Sequence, residues 1–227
     1  ARTLNKALDS SYLQEEGGLQ AWELSSVHLT AQISKVVERA MLPLFANHLK
    51  NVSVFGDNQF AYQSGRGARD ALALLTLSWV LEISKGNKVA VYCSDVLGAS
   101  DKVNKKVLVG KLRMAGVHVQ LIAVIESWLS ARDAHVVVSG QFSALLQLEN
   151  MVFQGTAEPY TLERFFDDVR NAVRDAGFTE YVYADDLNAF RVFEHTVSYD
   201  DIDWSLIACQ NRVHEWGDSN QVTFDAS

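Results

Sequence analysis

Proline is almost missing: Pro43 and Pro159 are the only two in 227 residues. That excludes a proline-rich linker, and no low-complexity tract or internal repeat divides the chain. Cysteine is as scarce. Cys93 and Cys209 have no CxxC or Cys/His spacing, which argues against a zinc site or a disulfide framework and reads as a reducing compartment. No stretch reaches the roughly 20 consecutive apolar residues of a membrane span. The opening Ala1-Arg2-Thr3-Leu4-Asn5-Lys6 lacks the apolar run of a secretory signal, so the expected location is intracellular. The first residue is not methionine, which reads as a segment of a longer protein. Positive charge is also short. Lys and Arg number 20 against 28 Asp and Glu, a net charge of −8. Neutralising phosphates takes clustered bases, so composition alone favours a soluble enzyme or an interaction domain. That objection weakens if the acids gather at a metal site while the bases line a groove, or if a basic domain follows.

What is present is ample apolar material, 48% of residues, enough for one large domain or two small ones. Residues 1–26 are polar, contain Gly17 and Gly18, and read as a poorly ordered opening segment. From Leu29 apolar residues recur at helical spacing through Ile33, Val36, Val37, Ala40, Met41, Leu44 and Phe45, which predicts a helix near His28–Leu49. A polar and aromatic loop follows over 51–65. Ala68–Ser84 is strongly apolar and stops at Gly86, a second helix.

Lys88–Asp95 carries apolar residues on both parities and suits a strand buried on both faces. Lys105–Ala115 and Val119–Leu129 read as helices, Ala134–Leu148 as a hairpin turning at Gly140, and Pro159–Ala176 as one helix. Glu180–Tyr183 and Leu187–Phe193 are strands around Ala184-Asp185-Asp186. Ile202–Trp216 is helical and Gln221–Phe224 a final strand. Strands concentrate in the second half and mix with helices, an α+β layer.

The candidate chemistry lies in the acids. Neighbouring side chains on a strand point to opposite faces, but a turn breaks that alternation, so Asp185 and Asp186 can approach one region. Uncompensated carboxylates repel, and a divalent cation relieves them. Mg²⁺ takes oxygen ligands and often only one or two carboxylates plus phosphates. Asp95, ending the earlier strand, would add a third if the strands pair. Two such ions serve in-line phosphoryl displacement. On spacing alone an ordinary aspartate turn is the plainer reading, and Asp95 could be only a strand cap. The denser cluster Asp200, Asp201 and Asp203 reads as a solvated helix start.

Several segments resemble the boxes of reverse transcriptases, in particular those of non-LTR (LINE-like) retrotransposons. Tyr183-Ala184-Asp185-Asp186 matches YxDD, and Asp95–Val103 is similar to DxxGAFDxV. Phe153-Gln154-Gly155-Thr156 matches the QG opening of the next box. Leu29–Arg39 resembles LTxxxxKxxER, and Asn58–Ala71 resembles QxGFxxGRxxxDA. Trp216-Gly217 through Phe224-Asp225 is similar to the segment before the lysine of a further palm box. Five boxes in chain order, across about residues 27–225, are far more specific than a lone YADD.

The resemblance implies a polymerase right-hand fold: helical fingers over 27–87, then a palm over 88–227 with a small antiparallel sheet and a fingers hairpin near 134–149, the thumb absent. It implies RNA-dependent DNA synthesis with Asp95, Asp185 and Asp186 as catalytic residues holding two Mg²⁺, Mn²⁺ being possible. Gln154 and Gly155 would lie against template and nucleotide, since glycine lets backbone approach a ligand closely. Lys35, Arg66 and Arg69 are candidates for phosphate contact or plain surface charge. Partners would be an RNA template, a DNA primer, deoxynucleoside triphosphates and other domains of the same polyprotein, with no membrane. Nuclear location follows from the resemblance only.

The pattern also departs from the family. Ser100 stands where an aromatic residue normally blocks the ribose 2′-OH, which implies weak discrimination against ribonucleotides. Glu158 follows Gln154-Gly155-Thr156-Ala157 where an apolar-small-Pro run is usual. An alternative is therefore a catalytically dead remnant that binds nucleic acid weakly. A third reading, an acidic interaction domain, requires the three aspartates to lie far apart.

Overall fold

The computed structural model describes residues 4–6, 32–51, 56–96, 99–130, 132–138, 140–148, 152 and 158–224. The first half is helical. Helix α1, Gln32–Asn51, buries Phe45 and Leu49 on one stripe while Ile33, Val36 and Leu44 stay exposed. Helix α2, Ala68–Ser84, begins where Asp70 accepts from the Gly67 N–H at 2.8 Å and ends at Gly86, in the left-handed region at φ +88°. Both lie where the apolar pattern put them; α1 runs on to Asn51, and residues 28–31 of its expected span lie outside the described residues.

Strand β2, Lys88–Ser94, leads through a 3₁₀ turn at Ala99–Lys102 to helices α3, Lys105–Met114, and α4, Val119–Trp128. Asn104 caps α3 by accepting from the Lys106 and Val107 N–H groups. The predicted hairpin is present, but a jog divides it. Strand β3 (Arg132–His135) pairs with β6 (Leu146–Leu148), while β4 (Val137–Val138) pairs with β5 (Gln141–Phe142) around Gly140 at φ +81°. Of residues 1–26 the structure describes only strand β1, Leu4–Lys6, which runs parallel to β3; the rest of that segment lies outside the described residues.

The helix expected over Pro159–Ala176 is two helices, α5 (Glu158–Phe166) and α6 (Val169–Asp175). Adjacent aspartates break it, because each carboxylate serves a different partner. Asp167 pairs with Arg164 at 3.2 Å and with Arg170, and Asp168 accepts from Lys111 Nζ at 2.6 Å and from Trp216 Nε1 at 2.9 Å. Strands β7 (Thr179–Tyr183) and β8 (Asp186–Phe193) form the acidic hairpin.

Helix α7, Tyr199–Asn220, outruns the expected Ile202–Trp216 at both ends. Ser198 caps its start by accepting from the Asp201 N–H at 3.1 Å, and exposed Asp200 and Asp201 fill the first turn as a solvated helix start should. The last expected strand, Gln221–Phe224, is reduced to one bridge between Phe224 and Val96.

The central sheet has the order β2-β8-β7, antiparallel throughout. Leu187, Ala189 and Val182 face the main core with Val169 and Val173 of α6 and Cys209 and Val213 of α7. The helix α2 covers part of the other face, with Trp79 edge-on to Phe190. Among the described residues no helix is long and apolar enough to cross a membrane.

Candidate active site

The strand register decides which side chains share a surface. Ser94 pairs with Leu187, so the next step places Asp95 opposite Asp186, which itself pairs with Tyr183. Alternation then puts Asp95, Cys93, Asp186, Asn188, Tyr181 and Tyr183 on the face away from α6 and α7. Asp95, Cys93, Asp186 and Tyr183 are exposed, whereas Ala90, Leu187, Ala189 and Val182 of the opposite face are buried. Strand β2 is thus not buried on both faces. Helix α2 packs against the acidic face of the sheet through Trp79 on Phe190, while Cys93 and Asp95 at the acidic end of the strand stay exposed.

The two strands bring like charges together. Partial burial, with the nearby charge of Asp95, raises the Asp186 carboxyl above its ordinary value. Among the described residues no lysine, arginine or histidine forms an ion pair with Asp95 or Asp186. A divalent cation fits this donor set: oxygen ligands only, repelling one another, on an open face with room for water and phosphate. Asp185 sits half-buried in the turn itself. Among the described residues no three His, Cys, Asp or Glu side chains stand close enough to close a metal centre alone. The expected aspartates are therefore brought together as a facing pair, Asp95 and Asp186, with Asp185 beside them in sequence at the tip.

The turn is unusual. Tyr183 pairs with Asp186, which leaves Ala184 and Asp185 as a two-residue loop. Ala184 lies at φ +57°, where a side chain costs on the order of 1–3 kcal/mol and glycine is the common solution. The conformation is held from outside. Residues 58–60 run along the free edge of β7, with Phe60 N donating to Val182 O at 3.0 Å and Val182 N to Asn58 O at 2.9 Å. That edge seats Gln59, only 5% exposed, against the turn. Its Oε1 accepts from the Ala184 N–H at 3.3 Å, and its Nε2 donates to the Ala184 carbonyl at 3.5 Å. The Phe60 ring stacks on Tyr181 at 5.8 Å.

Asp95 is anchored from the other side. The next residue, Val96, is 4% exposed and bridges to Phe224, whose ring stacks on His214. Gly217 makes this possible: a Cβ there would lie 2.8 Å from the Val222 carbonyl and 2.9 Å from the Phe224 ring. Ser100 is half-buried in the 3₁₀ turn, and its carbonyl accepts from the Val152 N–H at 2.8 Å. Gln154 and Gly155 lie outside the described residues, two and three positions beyond that anchored valine.

The basic candidates are scattered. Arg66 is exposed and donates to the Asp57 carbonyl and, at 3.5 Å, to the Gln59 carbonyl, with its guanidinium 5.5 Å from the Phe60 ring centre. It thus braces the loop behind the acidic turn. Lys35 on α1 and Arg69 in the first turn of α2 make no hydrogen bond or ion pair among the described residues. A separate cavity of about 790 Å³ gathers Lys105, Lys106 and Arg132 with Asp133 and Gln147 beside β3 and β6. The sequence places Gln59 inside the segment that resembles QxGFxxGRxxxDA but gives it no role, and only the long-range pairing to Val182 reveals its contact with the turn.

An antiparallel sheet carrying two acids on its open face, backed by α6 and α7, belongs to a reverse transcriptase-like fold. Solved structures with a similar fold include telomerases. Apo telomerase from Candida tropicalis, truncated from its C-terminal domain, matches with TM-score 0.54 and 15% identity over 84% of this chain and 39% of that one. Telomerase from Candida albicans, in complex with a TWJ fragment of telomeric RNA, gives 0.53 and 12% over 85% of this chain and 33% of that one. The Candida tropicalis enzyme in complex with a TWJ fragment gives 0.53 and 13%, over 86% and 32%. The chain thus spans about a third of the length of these proteins. No family model and no curated protein matches the sequence.

Proposed function

We propose that this chain is the fingers-and-palm part of a reverse transcriptase of the non-LTR retrotransposon kind, extending a DNA primer on an RNA template with deoxynucleoside triphosphates. The observation that carries the reading is the register that sets Asp95 against Asp186 beside the Tyr183–Asp186 turn. The shared fold with telomerases supports it. Asp95, Asp185 and Asp186 would hold two Mg²⁺, which supply charge neutralisation at the phosphates and activation of the 3′-oxygen. The protein's own part is positional. It keeps the two carboxylates exposed on the face away from α6 and α7, and it carries Ser100 close after Asp95, where a nucleotide sugar would lie. Gln154 and Gly155 would border template and nucleotide, with Arg66, Arg69 and Lys35 offering phosphate contacts. Other domains of the same polyprotein would supply the thumb and the cationic surface that a net charge of −8 does not.

Extension of a DNA primer on an RNA template in Mg²⁺ tests the assignment. Extension that vanishes in Asp95→Asn and in Asp186→Asn upholds it. Extension that survives both defeats it. Ser100 and Glu158, which depart from the family pattern, favour one further reading, a catalytically dead remnant that binds nucleic acid. That reading expects template-primer binding with no extension by the unaltered chain in either Mg²⁺ or Mn²⁺.

A further inference from the structure

Gln59 is a buried amide in a loop that reaches the acidic turn from a segment 125 residues away in sequence. Its Oε1 accepts from its own loop, the Phe60 N–H at 2.9 Å and the Ala61 N–H at 3.0 Å, and from the Ala184 N–H at 3.3 Å. Its Nε2 faces the Ala184 carbonyl at 3.5 Å. One side chain therefore grips both the N–H and the C=O of the residue that holds φ +57°. Asp185 follows that residue directly and Asp186 comes next. The backbone route to both acids thus passes through a peptide pinned by Gln59. The surrounding bonds give the clamp a fixed base: residues 58–60 pair with Val182, Phe60 packs on Tyr181, and Arg66 braces the Asp57 and Gln59 carbonyls.

We propose that Gln59 is a positioning residue that sets the Ala184 turn, and through it the Asp186 carboxylate, for divalent-cation binding. This rests on the reading of Asp95 and Asp186 as cation ligands. No side chain other than an amide of this length does the same job. A carboxylate would turn an acceptor toward the Ala184 carbonyl, and an aliphatic chain would leave the Ala184 N–H without this partner. Partners that orient metal ligands alter affinity about 10- to 100-fold when removed.

Gln59→Asn is the sharpest probe. An asparagine can still accept from the N–H two residues on, as asparagines in turns do, so the 58–61 loop keeps its local bonds. It is one methylene too short to reach Ala184. Mn²⁺ binding, followed by electron paramagnetic resonance on the full chain below its melting temperature, is the readout. Asp186→Asn should abolish binding. Gln59→Asn should weaken it about tenfold, and adding Ala184→Gly should restore most of the loss, because glycine adopts φ +57° unaided. Gln59→Leu should weaken binding at least as much as Gln59→Asn. A purely structural role would lower the melting temperature but leave the affinity of the folded protein unchanged and gain nothing from Ala184→Gly. Wild-type affinity in a folded Gln59→Asn protein, with binding lost in Asp186→Asn, overturns the clamp alone. Wild-type affinity in Asp186→Asn overturns the cation site, and the clamp with it.

Discussion

Glu180 and Asp186 lie on the same hairpin and meet opposite fates. Glu180 points to the helical side of the sheet, is 1% exposed, and is gripped by Arg174 of α6. That bond raises the Arg174 guanidinium above its already high value. Nearby, Lys111 is likewise buried and is matched by Asp168, the Phe165 carbonyl, and the Phe165 and Trp216 rings. On the other face Asp186 is set against another acid and given no base. Burying a charge unpaired is costly, so the buried Glu180 needs its partner, whereas the exposed Asp186 stays in reach of water and can stand without one. Under the proposed function, a sheet that pairs its acid on one side and opposes acids on the other would leave the second side for a cation from solution.

The largest effect expected from breaking this contrast is on the paired side. Lys111→Ala removes a nearly buried ammonium and leaves the Phe165 carbonyl without that donor, at a cost of about 3 kcal/mol in unfolding free energy. Asp168 is partly exposed and can recruit water, which keeps the figure at the low end. Chemical denaturation measures it. Lys111→Met keeps the aliphatic stem between Phe165 and Trp216 and should lose less. Equal losses would mean that the aliphatic stem matters little and the ammonium carries the whole effect.

On the opposed side the sign reverses. Asp186→Asn should abolish primer extension, at least about a hundredfold or ~2.7 kcal/mol, yet leave the fold as stable or slightly more so, because the repulsion from Asp95 goes. The pH dependence follows the same logic. The folded-state value of Asp186 is raised, so the folded protein binds protons more tightly there than the unfolded chain. That contribution is present at acidic pH, below the ordinary carboxylate value, and is lost as pH rises through the raised one. Thermal melts across that window should show the trend in the wild type, and a weaker trend in Asp186→Asn. Identical profiles would separate Asp186 from Asp95.

Gly217→Ala tests what holds Asp95 in place. The added methyl meets a carbonyl at 2.8 Å and a ring at 2.9 Å, so the Val222–Phe224 segment must shift, for about 1–3 kcal/mol. Loosened anchoring of Val96 should lower cation affinity as well as melting temperature.

How far the sequence carried the fold depended on locality. Helices α2, α3, α4 and the β7–β8 hairpin follow from apolar period and turn residues, which are local. The split at Asp167-Asp168 was not legible, since it depends on Lys111 and Trp216, distant in the chain. Strand β2 read as doubly buried because its apolar residues fall on both parities, whereas the tertiary packing leaves Cys93 and Asp95 exposed, which local pattern does not encode. At the site, the meeting of Asp95 and Asp186 was legible as a consequence of strand pairing. The role of Gln59 was not, because a loop glutamine carries no periodic signal that would tie it to a turn 125 residues away.

The smallest expected effect falls on Ser100. It is half-buried, five residues beyond Asp95, and its carbonyl is fixed to Val152 by a backbone bond. If a nucleotide occupies that face, a serine leaves space beside the sugar that a phenyl ring would fill. Ser100→Phe should then favour deoxynucleotides over ribonucleotides about tenfold more than the wild type, a difference of ~1.4 kcal/mol. The ratio of the two kcat/KM values in primer extension measures it. The Val152 N–H bond goes to the Ser100 carbonyl and does not depend on the side chain at 100. A changed melting temperature with unchanged selectivity would place the residue 100 side chain in the packing beneath the turn rather than beside the sugar.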